Sequence, residues 1–538
     1  MLKLRDSLTF PRVPMSSRVS GLLLHPTSLP GRWGIGDLGQ QAYDFVDFLE
    51  KAGQRIWQIL PLGPTGHGNS PYQCLSSFAG NPLMICPDDL VKQGWLKADE
   101  VYSAPSANRL GEVRVDYTAV GEFKRWCLNR AYERFRDQPS HEQRARFATF
   151  CAVEGEWLED FALFVALKEH HGGVSWDRWE HGAVLRDPQS LHRWKQNLHE
   201  QVEANKFFQF VFFEQWGKLK EYANVKGVRI VGDMPVFVAY DGADVWAHPD
   251  LFFLDDNRRP TVMAGVPPDY FSPTGQLWGN PLYRWDRMAE DGYHWWISRV
   301  KNTLDLVDVV RLDHFRGFEA YWEVEAGERT AANGRWVKGP GEKLFQALKQ
   351  AIGELPFVAE DLGLITPEVE QLRDQFELPG MKVLQFAFGD SAANPYLPHN
   401  HVRNCAVYTG THDNDTTMGW FKGLDAREQK VIEEYLGHPI QQPSRDFLRL
   451  AFASVADVAI VPVQDLLCLD RDARMNIPGV ADGNWEWRVQ QGQLTEKLAA
   501  GLKNLTLFYG RGEKSKIELK KLTTNEELNS GTNKAFAP

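Results

Sequence analysis

Three carboxylates each close a short apolar run: Asp313 in V-V-R-L-D-H-F, Glu360 in F-V-A-E-D-L-G and Asp413 in Y-T-G-T-H-D-N-D-T. An acid is costly inside such a run, so an acid at its tip is expected to project into a wet cleft. Asp233 closes a fourth run, in I-V-G-D-M-P. Acids on several strand ends that face one opening suit chemistry on sugars. Side chains alternate along a strand, which puts Arg311 and Asp313 on one face, where the guanidinium favours an ionised Asp313. A carboxylate held charged can attack an anomeric carbon. Glu360, on the next strand, can donate and then recover a proton if its pKa is raised to about 6. Retaining glycosidases hold such a pair about 5–5.5 Å apart, a gap that neighbouring barrel strands supply. Asp413 can bind sugar hydroxyls and favour an oxocarbenium-like transition state, with His412 donating to the same ring. Each pattern also has a plainer reading. Arg-x-Asp can be a salt bridge, Glu360-Asp361 a helix cap, and H-D-N-D an Asx turn or a metal cluster.

These residues need elements to position them. Eight strand-like runs are legible: Gly21–His25, Ile56–Leu62, Val228–Asp233, Val307–Asp313, Pro356–Glu360, Lys382–Phe388, Ala406–His412 and Ala459–Asp465. Helical stripes fall between most of them, which implies a parallel sheet. Eight such units predict an α/β fold of the closed (β/α)₈ TIM-barrel type; an open doubly wound sheet is the competing arrangement. Largely helical inserted subdomains are expected, and no separate C-terminal β-domain. The spacing divides the chain into an N-terminal extension (1–17), first barrel strands (18–63), an inserted, mostly helical subdomain (64–207), barrel (208–235), an active-site loop excursion with a lid (236–281), the remaining barrel (282–511) and a polar tail (512–538) expected to be disordered.

A formal net charge of −11 disfavours nucleic acid or an anionic membrane as the main partner, since both call for basic patches. No apolar stretch approaches the roughly 20 residues that span a bilayer. Residues Met1 to Arg18 lack the apolar core of a secretory signal, so a cytoplasmic enzyme is expected. The six cysteines are scattered with no C-x-x-C pair, which argues against zinc or a disulfide framework. No metal or cofactor is expected. Most of the 19 tryptophans should be core, with a few left to stack on pyranose faces.

At these residues the chain resembles the amylomaltase, or disproportionating-enzyme, family of 4-α-glucanotransferases, relatives of the α-amylases. The likeness runs from S-G-L-L-L-H-P-T-S-L-P at Ser20 to the region of Tyr509. It is carried by G-I-G-D-L-G at Gly34, S-P-Y-Q at Ser70, F-A-G-N-P at Phe78, Q-L-W-G-N-P at Gln276, R-L-D-H-F-R-G-F at Arg311, A-E-D-L-G at Ala359 and G-T-H-D-N-D-T at Gly410. The resemblance implies Asp313 as nucleophile, Glu360 as general acid/base and Asp413 as transition-state stabiliser. It further implies that Tyr72 stacks under the sugar at the cleavage point, with Arg311, His412 and Asp233 as polar support. Trp278, Asn280 and Asn484 would line the cleft. The loop from Gly265 to Phe271, with Asp269 and Tyr270, would form a lid over the acceptor side. Phe386 is either a sugar-stacking residue or a core aromatic. Two departures from the family pattern are Gly242, where serine is expected, and the tail beyond Tyr509.

The implied reaction transfers α-1,4-glucan segments to the 4-hydroxyl of glucose or another glucan, with retention. An α-amylase-type retaining hydrolase is the nearest alternative. A metal-dependent barrel hydrolase using H-D-N-D lacks clustered histidine ligands, and a non-catalytic glucan-binding protein would not need the three acids.

Overall fold

The computed structural model describes residues 18–268 and 272–512. The expected N-terminal extension lies outside them, as do the lid residues Asp269, Tyr270 and Phe271 and the tail beyond Gly512. Twelve strands occur among the described residues: β1 (Val19–Leu23), β2 (Ile56–Gln58), β3 (Arg229–Pro235), β4 (Val262–Val266), β5 (Gln276–Pro281), β6 (Val309–Asp313), β7 (Ala320–Glu325), β8 (Arg335–Lys338), β9 (Phe357–Ala359), β10 (Gly380–Val383), β11 (Cys405–Tyr408) and β12 (Val458–Pro462).

Eight of them form one parallel sheet in the order β10-β11-β12-β1-β2-β3-β6-β9. They are short, aliphatic and almost wholly buried, as strands covered on both faces must be. The sheet's two ends meet where the Ala359 N–H donates to the Pro379 carbonyl at 2.8 Å. The result is the (β/α)₈ barrel that the eight runs predict. One run ends early: β10 stops at Val383 and Leu384–Phe386 coils into a 3₁₀ turn, so Phe386 is carried by a turn and not by a strand.

A second sheet, antiparallel in the order β5-β4-β7-β8, was not foreseen. The interval 236–281 reads as loop because it is rich in Pro, Gly and Asp, yet it contains β4 and β5. Gly265 in β4 and Gly279 in β5 dilute the strand signal, and the β4–β5 register shifts between Met263 and Gly265. This small sheet brings Trp278 over the barrel mouth.

The 64–207 interval contains the helices Tyr117–Asp137, His141–Val153, Gly155–His170 and Pro188–Asn197, and a 27-residue helix, His199–Val225, continues into the barrel. That long helix is buried almost all round through Phe207, Phe208, Phe210, Val211, Phe212 and Trp216, and it runs unbroken through the expected boundary at 207. Two of its buried amides imitate strand pairing. Gln209 exchanges hydrogen bonds with both backbone groups of Gly80, and Gln215 does the same with Cys86.

At the foot of the barrel the fully buried Arg511 donates to the carbonyls of Val19, Ala451, Phe452, Ser454 and Asp457. Arg18 donates to Phe452 and Ser454 from the same side. Burial pushes the Arg511 pKa down to about 9. Its removal takes this donor from the Val19 and Ala451 carbonyls, at about 1–3 kcal/mol each, while Phe452 and Ser454 keep Arg18 and Asp457 keeps the Val19 N–H. Arg511→Ala should therefore lower the urea midpoint of unfolding by an amount worth about 2 kcal/mol or more; an unchanged midpoint would contradict this role.

Candidate active site

The site is built around one guanidinium. Arg311 in β6 is buried, and its Nη1 donates to both oxygens of Asp233 (2.8 and 2.7 Å) and to Asp313 Oδ1 (2.8 Å). Its Nε faces the Met381 sulfur at 3.3 Å. Parallel pairing sets Asp233 of β3 directly beside Arg311, and alternation along β6 keeps Asp313 on the same face. Burial pulls the Arg311 pKa down, but Asp233 and Asp313 more than offset this and hold it charged, well above its ordinary value. Burial pushes the Asp233 carboxyl upward while Arg311 pulls against it. Asp313, at the strand tip, keeps about a quarter of its side chain open to the cleft.

Glu360 follows β9, which pairs with β6 through Leu312 and Ala359, so positions 313 and 360 are next in register. Neighbouring strands lie about 4.8 Å apart, which suits a nucleophile and acid/base pair. The two carboxyls have different partners. Among the described residues Glu360 has no cationic hydrogen-bond donor; it accepts the His314 N–H on Oε2 (2.7 Å) and the Leu362 N–H on Oε1 (3.1 Å). Burial pushes its pKa up to about 8, against the pull of Arg311. Desolvation by burial is the main cause of this upward shift, with smaller like-charge contributions from Asp313 and Asp361.

On the opposite rim, beyond β11, Asp413 Oδ2 faces His412 Nε2 at 3.3 Å and Oδ1 accepts the Asn476 amide at 2.6 Å. Although burial raises the Asp413 pKa, His412 and Asn476 outweigh it and the carboxyl titrates well below the usual range. The reciprocal effect appears on His412: burial lowers its pKa, Asp413 raises it, and the net direction is upward. Tyr72 bridges the rims. Its hydroxyl donates to Asp233 Oδ2 (2.9 Å) and lies 3.4 Å from His412 Nδ1, while its ring stacks on His412 at 4.9 Å and 17°. Tyr72, Asp233, Arg311, Asp313, His412 and Asp413 thus form one connected group, with Glu360 beside it.

The other expected residues sit further out. Trp278 on β5 is half-buried and meets His314 edge-to-face at 4.8 Å. Asn280 is buried, its amide donating to the Val238 carbonyl at 2.8 Å. Asn484 is buried too and braces a loop, accepting from Ile477 N–H (2.9 Å) and donating to the Val480 carbonyl (2.7 Å). Phe386 is 36% exposed and edge-on to Tyr396 at 5.7 Å, so it is not a core aromatic. In H-D-N-D, Asn414 closes a turn by accepting from Thr411, and Asp415 pairs with Arg471 at 2.7 Å.

Three contributors escaped the sequence reading. Asn476 supports Asp413 but carries no local signature. Trp485, within N-W-E-W, packs 5.9 Å from both the Tyr72 and His412 rings. His314 adjoins Asp313 in R-L-D-H-F, where only the acid drew notice.

The chain is similar to known proteins over most of its length. A family profile described as 4-alpha-glucanotransferase matches residues 24–495. The chain is 51% identical over 494 residues to the 4-alpha-glucanotransferase of Thermus thermophilus, covering 90% of this chain and 97% of that one. It is 43% identical over 510 residues to the chloroplastic/amyloplastic 4-alpha-glucanotransferase of Solanum tuberosum, covering 93% and 88% respectively. Among solved structures, the amylomaltase from Streptococcus agalactiae in complex with acarbose superposes with a TM-score of 0.88 at 40% identity, covering 92% of this chain and all of that chain.

The His412–Asp413 pair has a defined pH window. The His412 charge is retained at low pH and lost as pH rises through its elevated folded pKa, whereas the Asp413 charge is lost only as pH falls through its depressed one. In an NMR titration of ring protons, Asp413→Asn should lower the His412 midpoint relative to the parent. An unmoved midpoint would show that Asp413 is not its counter-ion.

Proposed function

The chain belongs to the 4-alpha-glucanotransferase family, and from that premise we propose that Asp313 is the nucleophile, Glu360 the general acid/base and Asp413 the stabiliser of the transition state in a retaining transfer between α-1,4-glucans. One observation carries the assignment. Two carboxyls at matched register on adjacent strands stand in opposite electrostatic settings, Asp313 against a buried guanidinium and Glu360 desolvated with its pKa near 8.

Protonated Glu360 gives its proton to the glycosidic oxygen as Asp313 attacks the anomeric carbon. The bond to the leaving glucan breaks, and a covalent glycosyl-enzyme forms with inverted configuration. The leaving chain departs, and the 4-hydroxyl of glucose or a maltooligosaccharide enters in its place. Glu360, now a carboxylate, removes that hydroxyl's proton as its oxygen displaces Asp313, and the second inversion restores the α linkage. Asp413, His412 and Tyr72 supply one face of the sugar at the cleavage point, with Asp233 and Arg311 as their support. Transfer outruns hydrolysis when acceptor sugar is positioned better than water. Trp278 supplies that side; of the expected lid, Gly265 and Val266 belong to β4, while Asp269, Tyr270 and Phe271 lie outside the described residues. Asn280 and Asn484 would contribute by shaping the cleft walls, and Phe386, on its exposed turn, by stacking on a more distant sugar. We read 64–207 as an inserted helical subdomain that walls one side of the cleft.

A cytoplasmic setting fits six cysteines that are all unpaired. Among the described residues no helix is long and apolar enough to cross a membrane.

Incubation with maltotriose should yield glucose together with longer oligosaccharides; release of reducing ends without chain elongation would instead support a hydrolase. Asp313→Asn should lower kcat about 10³-fold or more while oligosaccharide binding persists. Because the acid form of Glu360 is required, kcat/KM should fall as pH rises through about 8.

A further inference from the structure

We infer that His314 is a positioning residue whose left-handed main chain anchors Glu360 Oε2 and so leaves Oε1 to carry the proton. The inference rests on Glu360 being the general acid/base. His314 has φ +55°, a conformation that non-glycine residues rarely adopt. Its N–H makes the shorter of the two bonds to the Glu360 carboxyl, 2.7 Å to Oε2 against 3.1 Å from Leu362 to Oε1. The left-handed turn lets the chain leave β6 for the short helix Arg316–Glu319 while the peptide between 313 and 314 still faces Glu360. A carboxylic acid that accepts a strong hydrogen bond on one oxygen keeps its proton on the other. The strand-tip geometry therefore decides which oxygen delivers it.

The imidazole gains little by itself. Its Nε2 is buried with no hydrogen-bond partner among the described residues. Burial pushes its pKa down to about 4, so the ring stays neutral through the working range and is not a proton carrier. It is wedged edge-on against Trp278 at 4.8 Å, and Gly317 leaves it room, since a Cβ there would lie 3.1 Å from His314 Cδ2. A left-handed backbone and an orphaned buried nitrogen are both unfavourable, and two such costs in one residue beside the proposed nucleophile point to a functional constraint. The charged and titratable groups facing Glu360 are Arg311 and Asp313 on β6, Asp361 on its own segment and the phenol of Tyr396. The His314 N–H is a neutral donor among them, so its loss can be read separately.

The test compares His314→Val with His314→Gly and His314→Asn. Valine resists the left-handed region, whereas glycine and asparagine accept it. In His314→Val, kcat for maltotriose disproportionation should fall about 10²-fold, and the alkaline limb of kcat/KM should move to higher pH, because a donor that favours the carboxylate form is lost. The glycine and asparagine variants should keep the limb in place and retain more of kcat. Equal kcat losses in all three with no movement of the limb would overturn the inference in favour of the ring, as would a valine variant indistinguishable from the parent. If the valine variant does not accumulate, Gly317→Ala, which crowds the imidazole, should move the limb the same way, and an unmoved limb there overturns the inference. Glu360→Gln separates the two readings: a fully active variant removes the premise, while an inactive one leaves His314 to be judged by its own variants.

Discussion

Everything at the barrel mouth depends on giving a buried Arg311 enough negative charge. A guanidinium placed in a barrel interior without partners is untenable, and removing one partner of a buried pair costs far more than the pair contributes. Asp233 meets the need from β3 and Asp313 from the tip of β6 itself. Their demand for Arg311 fixes the register of β3 against β6. Asp233 in turn holds the Tyr72 hydroxyl, Tyr72 stacks on His412, and His412 pairs with Asp413. Segments hundreds of residues apart in sequence are thereby committed to one geometry by a single cation.

The same cation differentiates the acids. Asp313 touches it and is held for attack. Glu360 is one strand away, bonded to the main-chain N–H groups of His314 and Leu362, and desolvation governs its proton. Two carboxyls that sit a strand apart therefore stand in different electrostatic settings, one against a guanidinium and one desolvated, as double displacement requires.

Much of this was legible in sequence because barrel strands carry two readable signals, an aliphatic run and a polar residue at its end. V-V-R-L-D and F-V-A-E announced both the strands and the acids. What stayed hidden was set by contacts that no local pattern encodes. β4 and β5 looked like loop because glycines dilute V-M-A-G-V and Q-L-W-G-N-P, and their pairing with β7 and β8 is a tertiary fact. Asn476 reaches Asp413 from 63 positions away. Phe386 left its expected strand because β10 ends in a 3₁₀ turn two residues after Lys382. The conformation of His314 is a backbone property that its residue type does not advertise.

The join at the barrel's foot carries a consequence for biosynthesis. β1 gains its second neighbour only from β12, and the carbonyl of Val19 is capped by Arg511. At about 5–20 residues per second, the ribosome needs on the order of 25–100 s to deliver residue 511 after the amino-terminal strand has emerged. Until β12 follows, one edge of Val19–Leu23 is without its strand partner and open to pairing with another nascent chain. The first strand of the barrel is thus completed only by the last.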